Sequence, residues 1–119
     1  MTLSEIAKRL VALCREGKYE QAQTELYAQD AVSIEPQEMP GFPKVTKGRD
    51  AIVQKGRNFV AMIEEIHASE VSDPIVAGSS FACTMRLDST MRGMGRMDRT
   101  ELCVYEVKDG KISAEIFHD

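Results

Sequence analysis

The residues of this sequence best suited to chemistry are carboxylates, and the most unusual of them is Glu35. The stretch "QDAVSIEPQ" places apolar residues at Val32 and Ile34, as a strand does, and then puts Glu35 directly before Pro36. A carboxylate inside an apolar pocket loses hydration, its pKa rises, and it accepts protons better near neutral pH. Glu35 is therefore a candidate general base. The alternative is a solvated carboxylate where the chain leaves the sheet.

Two further acids, Glu101 and Glu115, fall on the last two predicted strands, and their orientation depends on the turn between those strands. If residues 108–110 form a three-residue loop, Cys103 faces Glu115. A two-residue turn at 109–110 would shift the pairing by one and exchange the faces of the last strand. We favour the three-residue loop.

That register, with an earlier hairpin centred on Gly93, predicts the inner wall of a pocket. The predicted wall consists of Phe81, Cys83, Met85, Arg99, Glu101, Cys103, Tyr105, Ser113, Glu115 and Phe117. We expect a small molecule to contact Phe59, Phe81, Met85, Cys103, Tyr105 and Phe117.

Like charges at low dielectric cannot all ionise cheaply, so one acid among Glu35, Glu101 and Glu115 should stay protonated or pair with Arg99. Such a pocket would hold both a proton donor and a proton acceptor. Alternatively, Arg99 and Glu101 form a surface pair at a wet rim.

Cysteine and histidine offer little further chemistry. Cys14, Cys83 and Cys103 are odd in number and lack C-x-x-C spacing, which predicts reduced thiols rather than a disulfide framework or a zinc site. No histidine is an obvious partner for Cys103, so we interpret it as a buried thiol. Only His67 and His118 could add imidazole ligands, so we expect no metal. We also expect no cofactor.

Composition narrows the class of protein. The chain has 119 residues, with 15 basic and 19 acidic residues interspersed and a net charge of −4, so we expect one domain over 1–119 and no nucleic-acid partner. The start "MTLSEIAKRLVALCREG" carries charges throughout, unlike a signal peptide, and no apolar run approaches the length of a membrane span. These features predict a cytoplasmic protein that does not enter a membrane.

Three helices are predicted in the first half of the chain. Thr2 to Glu5 has capping-box spacing, and apolar residues then recur at helical intervals until Gly17. A second apolar stripe starts at Tyr19 and ends near Asp30. The third helix is predicted from an apolar face spaced 4, 3, 4 and 3 residues apart, made of Ile52, Gly56, Phe59, Ile63 and Ile66.

From His67 onward the hydrophobic period changes to two. We predict that a strand opens at Val71 and breaks at Asp73-Pro74, and that "FACTMRLD", "RMDRTELCVYEV" and "KISAEIFHD" form long antiparallel strands. With the early strand "DAVSI", this order predicts an α+β fold. Three N-terminal helices would pack on the concave face of a curved, mostly antiparallel sheet, a cystatin-like cone.

The order of elements resembles the SnoaL-like branch of the nuclear transport factor 2-like superfamily over essentially the whole chain. The sequences "GRDAI" at the start of the third helix and "YEVKDGKI" across the last turn carry the resemblance. It implies the fold more than the chemistry, because this scaffold hosts isomerases, dehydratases, cyclases, epoxide hydrolases and non-enzymatic binders.

The resemblance also suggests a role for Glu35. Ketosteroid isomerases of this superfamily use an acid followed by proline on the early strand as their general base, and Glu35-Pro36 matches that position. Their oxyanion donors, a tyrosine and a protonated aspartate, correspond to Leu10 and Cys103 here. Leucine donates nothing and a thiol donates weakly, so we expect no ketosteroid isomerase activity. The Asp-Arg-Asp relay of limonene epoxide hydrolases is not recognisable either.

The opposite face of the late strands predicts an interface. The favoured register leaves an apolar patch on the convex face, made of Leu102, Val104, Ile112, Ala114 and Ile116. Exposed apolar surface of this kind usually marks an interface, and the resemblance implies pairing through this face, so we expect a homodimer. The alternative is that another segment covers the patch.

Two classes of function are consistent with the sequence. In one, the chain is a cofactor-independent isomerase, dehydratase or cyclase acting on a small apolar or carbonyl compound, with Glu35 as base and Glu101 or Glu115 as acid. In the other, it is a non-catalytic small-molecule-binding or dimeric structural module. A catalyst should bring at least two of the acids to one enclosed cavity, and a Glu35 side chain in bulk solvent would exclude the first class.

Overall fold

The fold consists of three helices and one seven-stranded sheet. The computed structural model describes all residues 1–119. In chain order the elements are α1 (Leu3–Arg15), α2 (Tyr19–Leu26), β1 (Tyr27–Ile34), β2 (Val45–Lys47), α3 (Arg49–Met62), β3 (Ile63–Val71), β4 (Ile75–Ala77), β5 (Ser80–Met91), β6 (Gly95–Lys108) and β7 (Lys111–His118). None of the helices combines the length and the apolar character that a membrane span requires.

The predicted capping box at the start of α1 is confirmed. Thr2 N donates to Glu5 Oε1 at 2.9 Å, and Glu5 N donates to Thr2 Oγ1 at 3.2 Å. Ile6 and Leu10 follow on the buried face of the helix. Gly17, with φ at 74°, provides the left-handed residue that ends the helix.

The predicted ends of the other two helices were wrong. α2 ends at Leu26 and continues directly into β1, well before Asp30. α3 ends at Met62, so Ile63 and Ile66 belong to β3, where Ile66 is 56% exposed. Strand pairing with β5 along residues 63–71 overrides the helical spacing of these β-branched residues, and Val71 closes this strand rather than opening one.

The sheet confirms the α+β class, with three helices packed on a curved, mostly antiparallel sheet. Its strand order is β2-β1-β7-β6-β5-β3, and β4 pairs with β5 beside this path. Only the central β1–β7 pair is parallel. A buried cluster joins the inner face of α1 to the sheet, and it includes Ile6, Leu10, Cys14, Val71, Phe81, Cys83, Cys103 and Tyr105.

The β5–β6 hairpin has the predicted register. Met91 pairs with Gly95, so the hairpin is centred on Gly93, and Cys83 lies opposite Cys103. This pairing puts Met85 beside Glu101 on the inner face, as expected from the alternation of the two strands.

The predicted β6–β7 register was wrong, although the face that it predicted for Glu115 is the observed one. Asp109 and Gly110 form a two-residue turn with φ values of 53° and 75°, and Lys108 pairs with Lys111. A bulge follows, because Val107 pairs with Ile112 whereas Glu106 pairs with Ala114. Cys103 therefore lies opposite Phe117 instead of Glu115.

The bulge changes the face of one predicted interface residue. Ile112 precedes the bulge and is 0% exposed in the core, so its placement on the convex face was wrong. Beyond the bulge the alternation is restored with the predicted parity. Glu115 consequently faces inward and is buried, and Ile116 remains on the convex face with Val104.

Candidate functional site

Lys55 of α3 forms a polar hub with two residues at the end of β1. Its Nζ donates to Ser33 Oγ at 2.6 Å and to Glu35 Oε1 at 3.0 Å. The Lys55 side chain is 12% exposed and that of Glu35 is 25% exposed. Glu35 therefore does not extend into bulk solvent, and the ion pair is only partly open to it.

Local structure explains why these residues meet. Ala31 and Ser33 alternate on the buried side of β1, and Glu35 follows two residues later on the same side. Lys55 lies one turn after the fully buried Ile52, so it shares the face of α3 that packs against β1. The long lysine stem carries the ammonium group to the strand end.

Glu115 of β7 lies deeper in the same corner. It is 3% exposed, Ser33 Oγ donates to its Oε2 at 2.6 Å, and the Tyr27 hydroxyl donates to its Oε1. Ser33 and Glu115 are register partners across the parallel pair. Burial raises the pKa of Glu115, and the two hydroxyl donors oppose part of that rise. Its depth suits Glu115 to support its neighbours rather than to touch a ligand.

Glu101 of β6 is the third predicted acid, and its side chain makes no hydrogen bond. Burial raises the pKa of Glu101, and the charge of Glu35 raises it further, whereas Arg99 opposes the shift. The Arg99 guanidinium lies 3.9 Å from Glu101 but only 3.0 Å from Asp119. Burial and the charge of Glu35 thus favour the neutral form of Glu101, whereas the charge of Lys55 acts against protonation of both Glu101 and Glu115.

The residues predicted to contact a ligand separate into two groups. Phe81, Cys103 and Tyr105 are packed within the core, where the Phe81 and Tyr105 rings stack with centroids 4.8 Å apart. These three residues belong to the buried core cluster, and their contact with a ligand stays a prediction. The other three are Phe59, Met85 and Phe117.

Those three lie at partly open positions. Phe117 and Met85 are half-buried at the edge of the core, and Lys55 Nζ lies 5.8 Å from the centroid of the Phe117 ring. Phe59 is 41% exposed and makes an edge contact with Phe42, with ring centroids 6.4 Å apart. Met85 and Phe117 consequently lie beside the predicted acids and Lys55, whereas Phe59 lies at the protein surface.

Two surface depressions lie apart from the acids. One of about 440 Å³ lies between α1 and the β3–β4 turn, and one of about 690 Å³ is formed by residues 38–43. Neither is lined by Glu35, Glu101 or Glu115. No group of three or more His, Cys, Asp or Glu side chains is placed to hold a metal ion.

A family model for the SnoaL-like domain matches residues 1–118. A solved structure from Mesorhizobium loti, proposed to be a SnoaL-like polyketide cyclase and also labelled a carbohydrate phosphatase, is 34% identical, with each chain covered to 100% and a TM-score of 0.92. The chain belongs to the SnoaL-like family. None of the curated proteins matches it.

More distant structures show the same fold. A cystatin-like protein of unknown function from Xanthomonas campestris is 16% identical with a TM-score of 0.83, over 99% of this chain and 90% of that one. A protein from Bacillus subtilis proposed to be an isomerase is 21% identical with a TM-score of 0.70, over 99% and 88%. The SnoaL-like scaffold is therefore secure, and the reaction must be argued from the site itself.

The candidate oxyanion positions of this SnoaL-like chain offer no donor. Leu10 is 1% exposed in the core, and Cys103 is equally buried. Contact with Cys83 and burial raise the pKa of the Cys103 thiol, so it is neither a strong donor nor a thiolate nucleophile. Any stabilisation of negative charge has to come from another residue.

Sequence reasoning missed Lys55, Ser33 and Tyr27. The signal for Lys55 was a lysine three residues after Ile52, on the flank of an apolar helix face where a charge needs a partner. Ser33 shares the strand parity of Glu35, which marks both for the same side of β1. Tyr27 gave no comparable signal, because its contact with Glu115 depends on the bulge in β7.

Proposed function

We propose that this SnoaL-like protein transfers a proton at the carbon next to a carbonyl group in a small organic molecule, without a cofactor. The observation that carries the proposal is the incomplete use of the Lys55 ammonium group. An ammonium has three donors, and only two of them are used, by Ser33 and Glu35. The third has no acceptor within the protein and can bind a carbonyl oxygen.

In this proposal each group has one role. The substrate carbonyl accepts a hydrogen bond from Lys55, and Glu35 removes a proton from the adjacent carbon through Oε2, the oxygen that Lys55 does not hold. The electron pair of the broken C–H bond forms a carbon–carbon double bond, the π electrons of the carbonyl move to its oxygen, and Lys55 stabilises the resulting enolate. Glu101, whose pKa burial raises, delivers a proton to another carbon or to a departing hydroxyl group, and the proton held by Glu35 then passes to Glu101 or to solvent to complete the cycle.

This arrangement supports isomerisation, dehydration or cyclisation, which share an enolate step. Lys55 takes the place of the donors that are absent at Leu10 and Cys103. Phe117 and Met85 supply the apolar surface beside the ammonium. The relatives proposed to be a cyclase and an isomerase are consistent with the same class of chemistry.

A second candidate is a small-molecule-binding module with no catalysis. It is favoured by the ion pair between Glu35 and Lys55, because that pair already occupies the carboxylate proposed as the base. In that case Lys55 and Phe117 would hold a ligand oxygen and an apolar group, and Glu35 would serve only as the ion-pair partner of Lys55.

Proton transfer can be tested before the substrate is known. A panel of small ketones and 1,3-diketones is incubated with the protein in D₂O, and loss of the α-proton signal is followed by ¹H NMR. We expect exchange that falls about a hundredfold in Glu35→Gln. The control, Glu38→Gln, removes an exposed carboxylate from the neighbouring loop and should exchange at the wild-type rate.

Binding is tested separately with p-nitrophenol, because a phenolate resembles an enolate in shape and charge. We expect the bound phenolate to show a shifted absorbance, and Lys55→Met to abolish the shift. Lys47→Met, which removes an exposed lysine of β2, should leave it unchanged. Phenolate binding without exchange on any compound would identify the binding module, and the absence of both would overturn the proposed function.

We also propose that two copies pair through the convex face. The register aligns one apolar residue from each of six strands in a continuous row, Val45, Ile34, Ile116, Val104, Ala82 and Ile75. Ile75 is 76% exposed and Val45 45% exposed at the two ends. An uncharged row of this kind is complementary to itself about a two-fold axis, which favours a second copy as its partner.

The pairing is tested by sedimentation velocity. We expect a dimer for the wild type and a monomer for Val104→Lys, which places a charge in the middle of the row. Met94→Lys adds the same charge at the exposed tip of the β5–β6 hairpin, away from the row, and serves as the control. A monomeric wild-type protein at micromolar concentration would contradict the proposal.

A further inference from the structure

A directed chain of hydrogen bonds connects Lys55 to the buried end of the site. Lysine can only donate, so Ser33 Oγ must accept from Lys55 Nζ at 2.6 Å. The hydroxyl proton of Ser33 is then available to Glu115 Oε2, also at 2.6 Å. The second carboxylate oxygen of Glu115 is occupied by the Tyr27 hydroxyl. Every member of the chain therefore has a fixed direction.

The two ends of this chain differ in rigidity. Ser33 is 0% exposed on a central strand and Glu115 is 3% exposed on its neighbour, so both are held by the sheet. Lys55 reaches them on a flexible four-carbon stem, and its other partner, Glu35, lies just beyond the last residue of β1. The contact with Ser33 is thus the one that fixes the ammonium group against the sheet.

We propose that Ser33, oriented by Glu115 and Tyr27, is a positioning residue that holds Lys55 with its third N–H free for a ligand oxygen. This inference rests on the proposed function for its purpose, but the contact it describes can be measured without a substrate. If Ser33 were only a buried polar residue, removing its hydroxyl would change stability and leave the state of Lys55 unchanged.

The decisive measurement is ¹⁵N NMR of the lysine ammonium groups, with the Lys55 signal assigned by its loss in Lys55→Met. We expect hydrogen exchange of the Lys55 ammonium to be slow in the wild type and about tenfold faster in Ser33→Ala, because one charge-assisted hydrogen bond is lost. Ser89→Ala removes another buried hydroxyl, which contacts Met91 Sδ, and should leave Lys55 unchanged.

Glu115→Gln provides a second variant should Ser33→Ala fail to fold. Glutamine has one acceptor oxygen in place of two, so the Tyr27 and Ser33 hydroxyls can no longer both donate to residue 115, and the negative charge that orients Ser33 is lost. Exchange at Lys55 should therefore accelerate as in Ser33→Ala. Unchanged exchange at Lys55 in both variants would overturn the positioning role, as would an equal effect of Ser89→Ala.

The p-nitrophenol measurement separates this inference from the proposed function. We expect Ser33→Ala to weaken phenolate binding about tenfold while keeping the folded circular dichroism spectrum. Faster exchange at Lys55 in Ser33→Ala, for a protein that neither binds phenolate nor exchanges α-protons, would support the positioning role and reject the proposed function. Equal phenolate affinity in the wild type and Ser33→Ala would reject the positioning role alone.

Discussion

Two charged clusters lie on opposite faces of the same sheet, and their carboxylates are paired with cations in different ways. On the convex face of β5 and β6, Arg96 makes two hydrogen bonds to Asp88, and Arg86 makes two to Asp98. Arg86 also contacts Glu70. On the inner face, Lys55 donates directly to Glu35 and is connected to Glu115 through the Ser33 hydroxyl. The side chain of Glu101 makes no hydrogen bond there.

The difference indicates which cluster stabilises the fold and which has polar groups available to bind a ligand. Paired guanidinium and carboxylate groups satisfy each other in the convex cluster, and the hydrogen bonds from Arg96 and Arg86 lower the pKa values of Asp88 and Asp98. In the inner cluster one ammonium group contacts Glu35 and Ser33, Glu101 makes no hydrogen bond, and the pKa values of Glu101 and Glu115 are raised. Polar groups without a protein partner, placed beside a half-buried apolar surface, are the arrangement expected of a binding site.

The largest effect that would test this contrast comes from removing the deepest acid. Glu115→Ala leaves the Tyr27 and Ser33 hydroxyls buried without their acceptor, so we expect the free energy of unfolding to fall by about 3 kcal/mol or more. Urea denaturation measures the loss. Asp98→Ala on the convex face is the control and should unfold close to the wild-type midpoint. Equal losses in the two variants would contradict the contrast.

How much of this arrangement can be predicted from the sequence depends on the range of the interactions. The α1 cap and the β5–β6 register follow from local signals, namely the spacing of Thr2 and Glu5 and the position of Gly93. The parity of Glu115 was predicted correctly for an incorrect reason. The true turn is shorter by one residue, and the bulge before Ala114 restores the face.

The remaining features depend on long-range contacts that no local pattern specifies. The end of α3 is set by pairing between β3 and β5, so the helical spacing up to Ile66 was misleading. The inward position of Ile112 and the contact between Tyr27 and Glu115 both follow from the bulge in β7. Lys55 reaches Glu35 only because α3 packs against β1, twenty residues away in sequence.

An intermediate effect on stability is expected at Thr46, which lies next to Ser33 and adds another unpaired polar group to the inner cluster. Thr46 is the register partner of Ser33, and its buried Oγ1 has no hydrogen-bond partner. Because an unsatisfied buried hydroxyl is costly, Thr46→Val should raise the free energy of unfolding by about 1 kcal/mol. Urea denaturation provides the measurement. Thr100→Val, at an exposed site on β6, should stay within about 0.5 kcal/mol of the wild type.

The smallest expected effect is a difference in how the two clusters respond to pH. The folded pKa of Glu101 is raised above 4.5, so the native state binds more protons than the unfolded state in the window above 4.5, and stability falls as pH rises through it. Glu115, with its raised pKa, has the same sign. The folded pKa values of Asp88 and Asp98 are lowered below 3.8, so their stabilisation is present above 3.8 and is lost as pH falls below it.

The two windows therefore do not overlap, and urea midpoints measured across pH can separate the clusters. Glu101→Gln should flatten the decline in stability above pH 4.5 and leave the acid limb unchanged. Asp98→Asn should flatten the acid limb below pH 3.8 and leave the decline above pH 4.5 in place. If Glu101→Gln altered only the acid limb, Glu101 would be an ordinary paired carboxylate like those of the convex face. It would then be an unsuitable proton donor for the proposed reaction.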